Sequence, residues 1–171
     1  MRADLHMHSR WSDGSLEVSN LIKLGKKSGL SVMSITDHDT MEGQEEVRIE
    51  GKKQGVRTIN GVEISACNPE TGRKVHILGY NIADEKAVTE TLRSYLTERH
   101  EAVKSAVERI AKAGYAVDLE DVLAYAGRGG YLYKQHIMHA LADRGYTTSI
   151  YGELNKKLFG KNGIAFVRSK S

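Results

Sequence analysis

The sequence predicts an α/β fold with a largely parallel sheet. In the first half of the chain, segments rich in apolar and β-branched residues alternate with segments of helical spacing. The alternation of strands with helices is typical of parallel sheets. Four strands are predicted, the last of them after turn residues at Pro69–Gly72: Ala3–Ser9, Ser31–Thr36, Val56–Ala66 and Lys74–Ile82.

The helices of the first half follow from spacing and capping. Val18, Leu21 and Ile22 fall at helical spacing after Ser15, which could cap that helix. A second, charged helix is predicted at Thr40–Gln54.

The second half of the chain is helical in pattern. One apolar stripe runs through a long predicted helix, Asp84–Gly114, and includes Leu92, Leu96 and Val103. Three shorter helices follow: Asp118–Ala126, Gln135–Arg144 and Ser149–Phe159. The change from mixed to helical pattern places a boundary near residue 84.

Composition narrows the class of protein. The chain has 171 residues, 40% of them hydrophobic and 27% charged, and no apolar run approaches the roughly 20 residues of a membrane span. A single cysteine, Cys67, excludes a disulfide framework within the chain and a cysteine-rich zinc site. The first residues show no signal-peptide pattern, so we expect a cytoplasmic protein without membrane contact. The formal charge of +3 is compatible with an anionic substrate but does not indicate one.

A His-x-His pair, His6 and His8, lies at the end of the first predicted strand. Side chains two apart on a strand point to the same side, so both imidazoles are presented together. The pair could bind a metal, or it could consist of one structural and one surface histidine.

Further histidines and carboxylates accompany the other strands. His38 follows the second predicted strand, Glu63 is expected at the end of the third, and His76 lies within the fourth. Because ligands of α/β proteins bind at the carboxyl ends of parallel strands, we expect these side chains to converge. Imidazole and carboxylate without thiolate suit Zn, Mn or Fe, and such a cluster can hold several ions.

Five segments carry a specific resemblance: Asp4–Ser9, Ser12–Gly14, Thr36–Thr40, Gly61–Ser65 and His76–Tyr80. They resemble successive motifs of the PHP (polymerase and histidinol phosphatase) domain family, in that family's order, and are similar above all to its stand-alone phosphoesterases. That branch includes nucleoside bisphosphate phosphatases and 5′-to-3′ exoribonucleases.

The resemblance implies a (β/α)7 barrel with up to three divalent metal ions, Mn, Zn or Fe. It implies that Glu63 bridges two ions and that Asp37 orients a metal ligand without binding metal itself. Lys134 and His136 correspond to substrate-binding positions, although they could equally be a helix-start lysine and a half-buried histidine. The implied metal ligands are His6, His8, Asp13, His38, Glu63 and His76.

The implied function is hydrolysis of phosphate esters of nucleotides or short oligonucleotides by water activated at the metals. One alternative is a phosphatase for a metabolite such as histidinol phosphate. Another, from a different class, is a catalytically incomplete fragment that binds metal or a partner.

Later motifs of the family, a His-Pro pair and an Asp-x-His pair, do not occur before Ser171. We therefore expect the N-terminal part of a barrel in residues 1–83, a helical insertion in 84–163 and the start of a return to the barrel in 164–171. From this organisation we also expect an incomplete metal site with little activity, and association into a homo-oligomer through exposed sheet edges.

Overall fold

The computed structural model describes residues 1–166 of the chain, which divide into two compact units. The first unit comprises Met1–Tyr95 and contains a three-stranded parallel sheet in the order β1-β2-β3. Helices connect its strands, as predicted. The elements are β1 (Ala3–Met7), α1 (Val18–Lys27), β2 (Val32–Ile35), α2 (Gln44–Gln54) and β3 (Arg57–Thr58).

The core of this sheet is formed by the apolar side of α1 and the central strand. Val18 and Ile22 of α1 are buried in one cluster with Met33 and Ile35 of β2, and this cluster also includes Val47 of α2 and Val56. The helical spacing of these side chains therefore predicted the buried face correctly. The predicted cap was wrong, because α1 begins after Glu17 rather than after Ser15, and its N-cap makes no side-chain hydrogen bond.

A β-hairpin follows the parallel sheet. Strands β4 (Gly61–Cys67) and β5 (Lys74–Tyr80) pair antiparallel, with Glu63 opposite Leu78 and Ser65 opposite His76. The prediction of a largely parallel sheet therefore holds for β1–β3 only, since a turn as short as this one cannot make the crossover that parallel strands need. The predicted third strand is also divided, because β3 ends at Thr58 and β4 begins at Gly61.

One parallel bridge, between His38 and Glu63, joins the hairpin to the chain that leaves β2. The buried side chain of Gln44 reinforces the junction by donating to the carbonyls of Ile35 at 2.8 Å and Gly61 at 2.9 Å. Within residues 1–166 the strands form open sheets and close no barrel.

The second unit begins at Leu96 and is helical. Its core combines Val107 and Ile110 of α3 with Leu132, Ile137 and Leu158. The expected boundary at residue 84 coincides with the start of α3, and the division between the units lies later in that helix. The helices that carry this part of the chain are α3 (Glu85–Lys112), α4 (Leu119–Leu123), α5 (Lys134–Asp143) and α6 (Glu153–Phe159).

None of the helices in residues 1–166 combines the length and apolar character of a membrane span. Most of the predicted return segment, residues 164–171, lies outside the described residues.

Candidate metal centre

Strand β1 presents the two histidines of the His-x-His pair to one carboxylate. His6 lies in β1 and His8 directly after it, and their ring centroids are 5.3 Å apart. The Nε2 atoms of His6 and His8 lie 2.7 Å and 2.9 Å from Oε2 of Glu63. The alternation of side chains on a strand thus presents both imidazoles together, as predicted, and here both contact the same oxygen of Glu63.

Glu63 is the centre of the cluster. Its side chain is 4% exposed, and its second oxygen, Oε1, lies 2.5 Å from Nδ1 of His76 on the paired strand. The expected position of Glu63 was wrong in detail, because it is the third residue of β4 and not at the strand's end. It still reaches the cluster, because the bridge to His38 places this part of β4 beside the end of β2.

Asp13 and His38 are the remaining two members of the group. Oδ1 of Asp13 lies 3.4 Å from Nδ1 of His8, and its Oδ2 lies 3.8 Å from Nε2 of His38. His38 in turn lies 3.9 Å from Oε2 of Glu63. The structure therefore brings together all six residues that were expected as metal ligands.

The six residues form three overlapping trios, each with one potential ligand atom per residue and with these atoms within 4.8 Å of one another. Ligand bonds of about 2.0–2.2 Å place two ligands of one ion at most about 4.4 Å apart, so the trios are close to ligand spacing. A donor set of imidazoles and carboxylates fits a divalent transition metal. The trios are His6–His8–Glu63, His8–Asp13–His38 and His38–Glu63–His76.

The electrostatics of the centre favour an ionised Glu63. Burial raises its pKa, but the hydrogen bond from His6 and the charges of His38 and His8 act in the opposite direction, and the pKa lies below its ordinary value. A carboxylate that is ionised near neutral pH is ready to bind a cation without first losing a proton.

Asp37 contacts the loop that follows β1. Its Oδ1 accepts from the backbone N–H of Ser9 at 2.8 Å and from the hydroxyl of Ser12 at 2.6 Å, and its Oδ2 accepts from the hydroxyl of Ser9 at 2.7 Å. Ser12 also lies 3.5 Å from Nδ1 of His8. Ser12 therefore links Asp37 to His8. Burial raises its pKa, although the hydrogen bonds from Ser12 and Ser9 act to lower it.

Lys134 and His136 lie in the second unit, at the start of α5. Lys134 is the first residue of the helix and is exposed, whereas His136 is buried and its Nδ1 accepts from the backbone N–H of Tyr133 at 3.3 Å. A substrate role for this pair stays a prediction.

Three polar residues that the sequence reasoning gave no role also lie at the centre. Asp39 binds Ser65, and the hydroxyl of Tyr80 donates to the carbonyl of Leu5 at 2.8 Å, which ties β5 to β1. Tyr80 and Ser65 stand on the same side of the hairpin as Glu63 and His76, as period-two alternation predicts. In the sequence, the only indication of a role for Ser65 and Tyr80 was that they belong to the motifs Gly61–Ser65 and His76–Tyr80.

Comparison with known proteins places this centre in context. A phosphoribosyl 1,2-cyclic phosphate 1,2-diphosphodiesterase from Eggerthella lenta is 37% identical over 165 residues, which are 96% of this chain and 63% of that protein. A 5′-3′ exoribonuclease from Haemophilus influenzae is 32% identical over 168 residues, 98% of this chain and 60% of that protein. The chain thus spans about 60% of the length of these relatives.

A solved structure shows the same architecture. An amidohydrolase from Chromobacterium violaceum, with bound sulfate and no metal, superposes with a TM-score of 0.87 at 26% identity, over 98% of this chain and 58% of that one. The sequence profile of the PHP domain matches residues 4–164, which include every residue of the three trios. The chain therefore belongs to the PHP domain family.

Proposed function

We propose that this chain provides the metal centre of a phosphoesterase that hydrolyses phosphate esters of nucleotides or short oligonucleotides. The observation that carries the proposal is the convergence of three ligand trios around Glu63. The relatives support the substrate class, because a cyclic phosphodiesterase and an exoribonuclease both cleave phosphodiester bonds. Two neighbouring divalent ions are a common solution for such hydrolysis.

The carboxylate of Glu63 is suited to serve two ions. Its Oε2 faces His6 and His8, whereas its Oε1 faces His76. We propose Mn, Zn or Fe as the ions, since imidazole and carboxylate ligands suit all three. Up to three ions are proposed for the complete site of the phosphoesterase. The trios share His8, His38 and Glu63, so they are overlapping sets of candidate ligands and not three separate sites.

Bound divalent ions would polarise the phosphoryl group and make water a stronger nucleophile. The protein's own residues hold the ligands in place for that chemistry. Asp37 fixes the loop that carries Asp13, and Asp13 lies between His8 and His38. Lys134 and His136 are proposed to bind a second phosphate of the substrate, with Lys134 acting as a point charge.

The test is phosphate release from a nucleoside 3′,5′-bisphosphate, and cleavage of a short RNA, by a purified phosphoesterase that contains this chain and a complete metal site, with Mn²⁺ present. We expect EDTA to abolish both reactions. We also expect His8→Ala and Glu63→Ala to lower turnover at least about a hundredfold, because each removes a ligand. His139→Ala is the matched control, since His139 stacks on Tyr125 in the second unit and belongs to none of the trios.

Two outcomes would contradict the proposal. Hydrolysis that persists in EDTA would show that the reaction does not use the metal centre. Equal losses in His8→Ala and His139→Ala would show that the effect is not specific to the trios.

A further inference from the structure

We propose that Asp39 is a positioning residue, which fixes the trio His38–Glu63–His76 by accepting two hydrogen bonds from Ser65. The inference rests on the metal centre proposed above and assigns a part of its construction. Asp39 does not belong to any of the trios, and its role is to hold the backbone segments that carry the ligands.

The contact between the two residues is doubled. Oδ1 of Asp39 accepts from the backbone N–H of Ser65 at 2.7 Å, and its Oδ2 accepts from the hydroxyl of Ser65 at 2.9 Å. Asp39 is fully buried, at 0% exposure. Hydrogen bonds to a carboxylate are stronger than those between neutral groups, so this pair resists separation.

The side chain of Asp39 continues the parallel hydrogen-bond ladder between the segments of His38 and Glu63, at the point where the backbone of Asp39 turns away from it. Glu63 donates its N–H to the carbonyl of Asp37 at 3.2 Å, and Asp39 donates its N–H to the carbonyl of Glu63 at 2.9 Å. In a parallel ladder the N–H of Ser65 would next bind the backbone carbonyl of Asp39. Instead, the backbone turns away at Asp39, where φ is +58°, and the carboxylate takes the place of the carbonyl.

A left-handed backbone is unfavourable for most residues but is tolerated by aspartate and asparagine. The turn at Asp39 lets the chain leave the ladder directly after His38. The hydrogen bonds of the side chain compensate for the ladder bond that the turn removes. An aspartate at this position therefore allows His38 to stand at the last backbone-paired position beside Glu63.

All three members of the trio are connected through the backbone to the Asp39–Ser65 contact. His38 precedes Asp39, Glu63 lies two residues before Ser65, and His76 is the cross-strand partner of Ser65. The side chain of His76 is 51% exposed, so packing around it contributes little to its position. Loss of the Asp39–Ser65 contact would leave the backbone bonds at Glu63 in place but would loosen the part of the hairpin beyond it, which carries His76.

Asp37 makes the corresponding contact on the other side of His38. It accepts hydrogen bonds from the backbone N–H and the hydroxyl of Ser9, which follows His8, and so supports the trio His8–Asp13–His38. The two aspartates that flank His38 thus hold different trios. This division predicts that weakening the Asp39–Ser65 contact affects metal binding by the trio that contains His76.

The experiment is titration of the purified protein with Co²⁺, followed by visible absorption of the bound ion. We expect Ser65→Ala to weaken Co²⁺ binding at the affected site at least about tenfold and to change the spectrum, as loss of partners that orient metal ligands does. Ser31→Ala is the matched control, because Ser31 donates to the carbonyl of Arg2 and contacts none of the trios. Asp39→Ala should weaken Co²⁺ binding more than Ser65→Ala, because Ser65→Ala removes only the hydroxyl bond and keeps the backbone N–H bond to Asp39. Asp39→Asn should recover most of the affinity because asparagine tolerates the positive φ and can still accept the N–H bond.

A His76→Ala background separates positioning from general destabilisation. If Asp39 acts through the trio, Ser65→Ala will add little to the loss that His76→Ala already causes. If Ser65→Ala lowers Co²⁺ affinity as much in the His76→Ala background as in the wild type, the inference is overturned. It is also overturned if the Ser65→Ala and Asp39→Ala proteins bind Co²⁺ within twofold of the wild type. A wild-type protein that binds no Co²⁺ would overturn the proposed metal centre and this inference with it.

Discussion

Oε2 of Glu63 lies 2.7 Å from Nε2 of His6, although 57 residues separate them in the sequence. The contact joins the first strand of the parallel sheet to the hairpin that follows it. A buried carboxylate is costly unless it is paired, and here the imidazoles of His6, His8 and His76 lie within hydrogen-bond distance of it.

Glu63→Gln should weaken divalent-metal binding by more than the roughly 10- to 100-fold that loss of an orienting partner causes, because it removes a charge shared by two trios. Isothermal titration with Mn²⁺ or Zn²⁺ measures the change. Glu45→Gln is the control, since Glu45 is exposed on α2 and pairs with Arg48. Equal affinities for the wild type and Glu63→Gln would refute the role of Glu63.

Gly14→Ala should destabilise the first unit and weaken metal binding. A Cβ at this position would lie 2.2 Å from the carbonyl oxygen of His8, so the loop that carries Asp13 would have to move. Thermal unfolding with and without Mn²⁺ detects both effects. Gly152→Ala is a matched control, because its Cβ would meet its nearest neighbour, Ser149, at 3.4 Å. A Gly14→Ala protein as stable as Gly152→Ala would contradict the close approach seen here.

The second unit contains a pair that should make its stability depend on pH. Arg144 donates to both carboxylate oxygens of Asp121, at 2.6 Å and 2.7 Å. The hydrogen bond from Arg144, together with that from the backbone of Asp118, holds the pKa of Asp121 below its ordinary value. A lowered folded-state pKa gives stability that is present above the unfolded pKa, near 3.8, and is lost as the pH falls through the folded value.

Asp121→Asn should therefore lower the melting temperature at pH 7, and the difference from the wild type should shrink towards pH 3. Thermal unfolding at the two pH values measures this. Glu101→Gln removes the exposed pair with Lys104 and should change the melting temperature less. A difference for Asp121→Asn that is unchanged between pH 7 and pH 3 would exclude the ion pair as its cause.

The sequence predicted those parts of the fold that depend on local pattern. The period of two in β1 placed His6 and His8 on one side, and the apolar stripe predicted a long helix, Asp84–Gly114, close to the observed Glu85–Lys112. Strand order also predicted that His6, His8 and His38 would converge, because they accompany successive parallel strands. Glu63 and His76 reach them through the antiparallel hairpin and its bridge to His38, and Asp13 was expected from the family resemblance alone.

Other features depend on contacts between distant residues, which a local pattern does not contain. The predicted strand Val56–Ala66 is interrupted at Asn60, whose side chain binds the backbone of Ile82 through two hydrogen bonds. The positive φ of Asp39 is compensated by Ser65, 26 residues further along the chain. Neither tertiary partner can be recognised from propensity or spacing alone.

The most direct test of the central claim is anomalous diffraction from crystals of the protein grown with Mn²⁺. The metal centre proposed here predicts anomalous peaks about 2.0–2.2 Å from the ligand atoms of the trios, with at least one peak beside the carboxylate of Glu63. Crystals that contain Mn²⁺ elsewhere, but show no peak within ligand distance of Glu63 and its histidines, would contradict the claim.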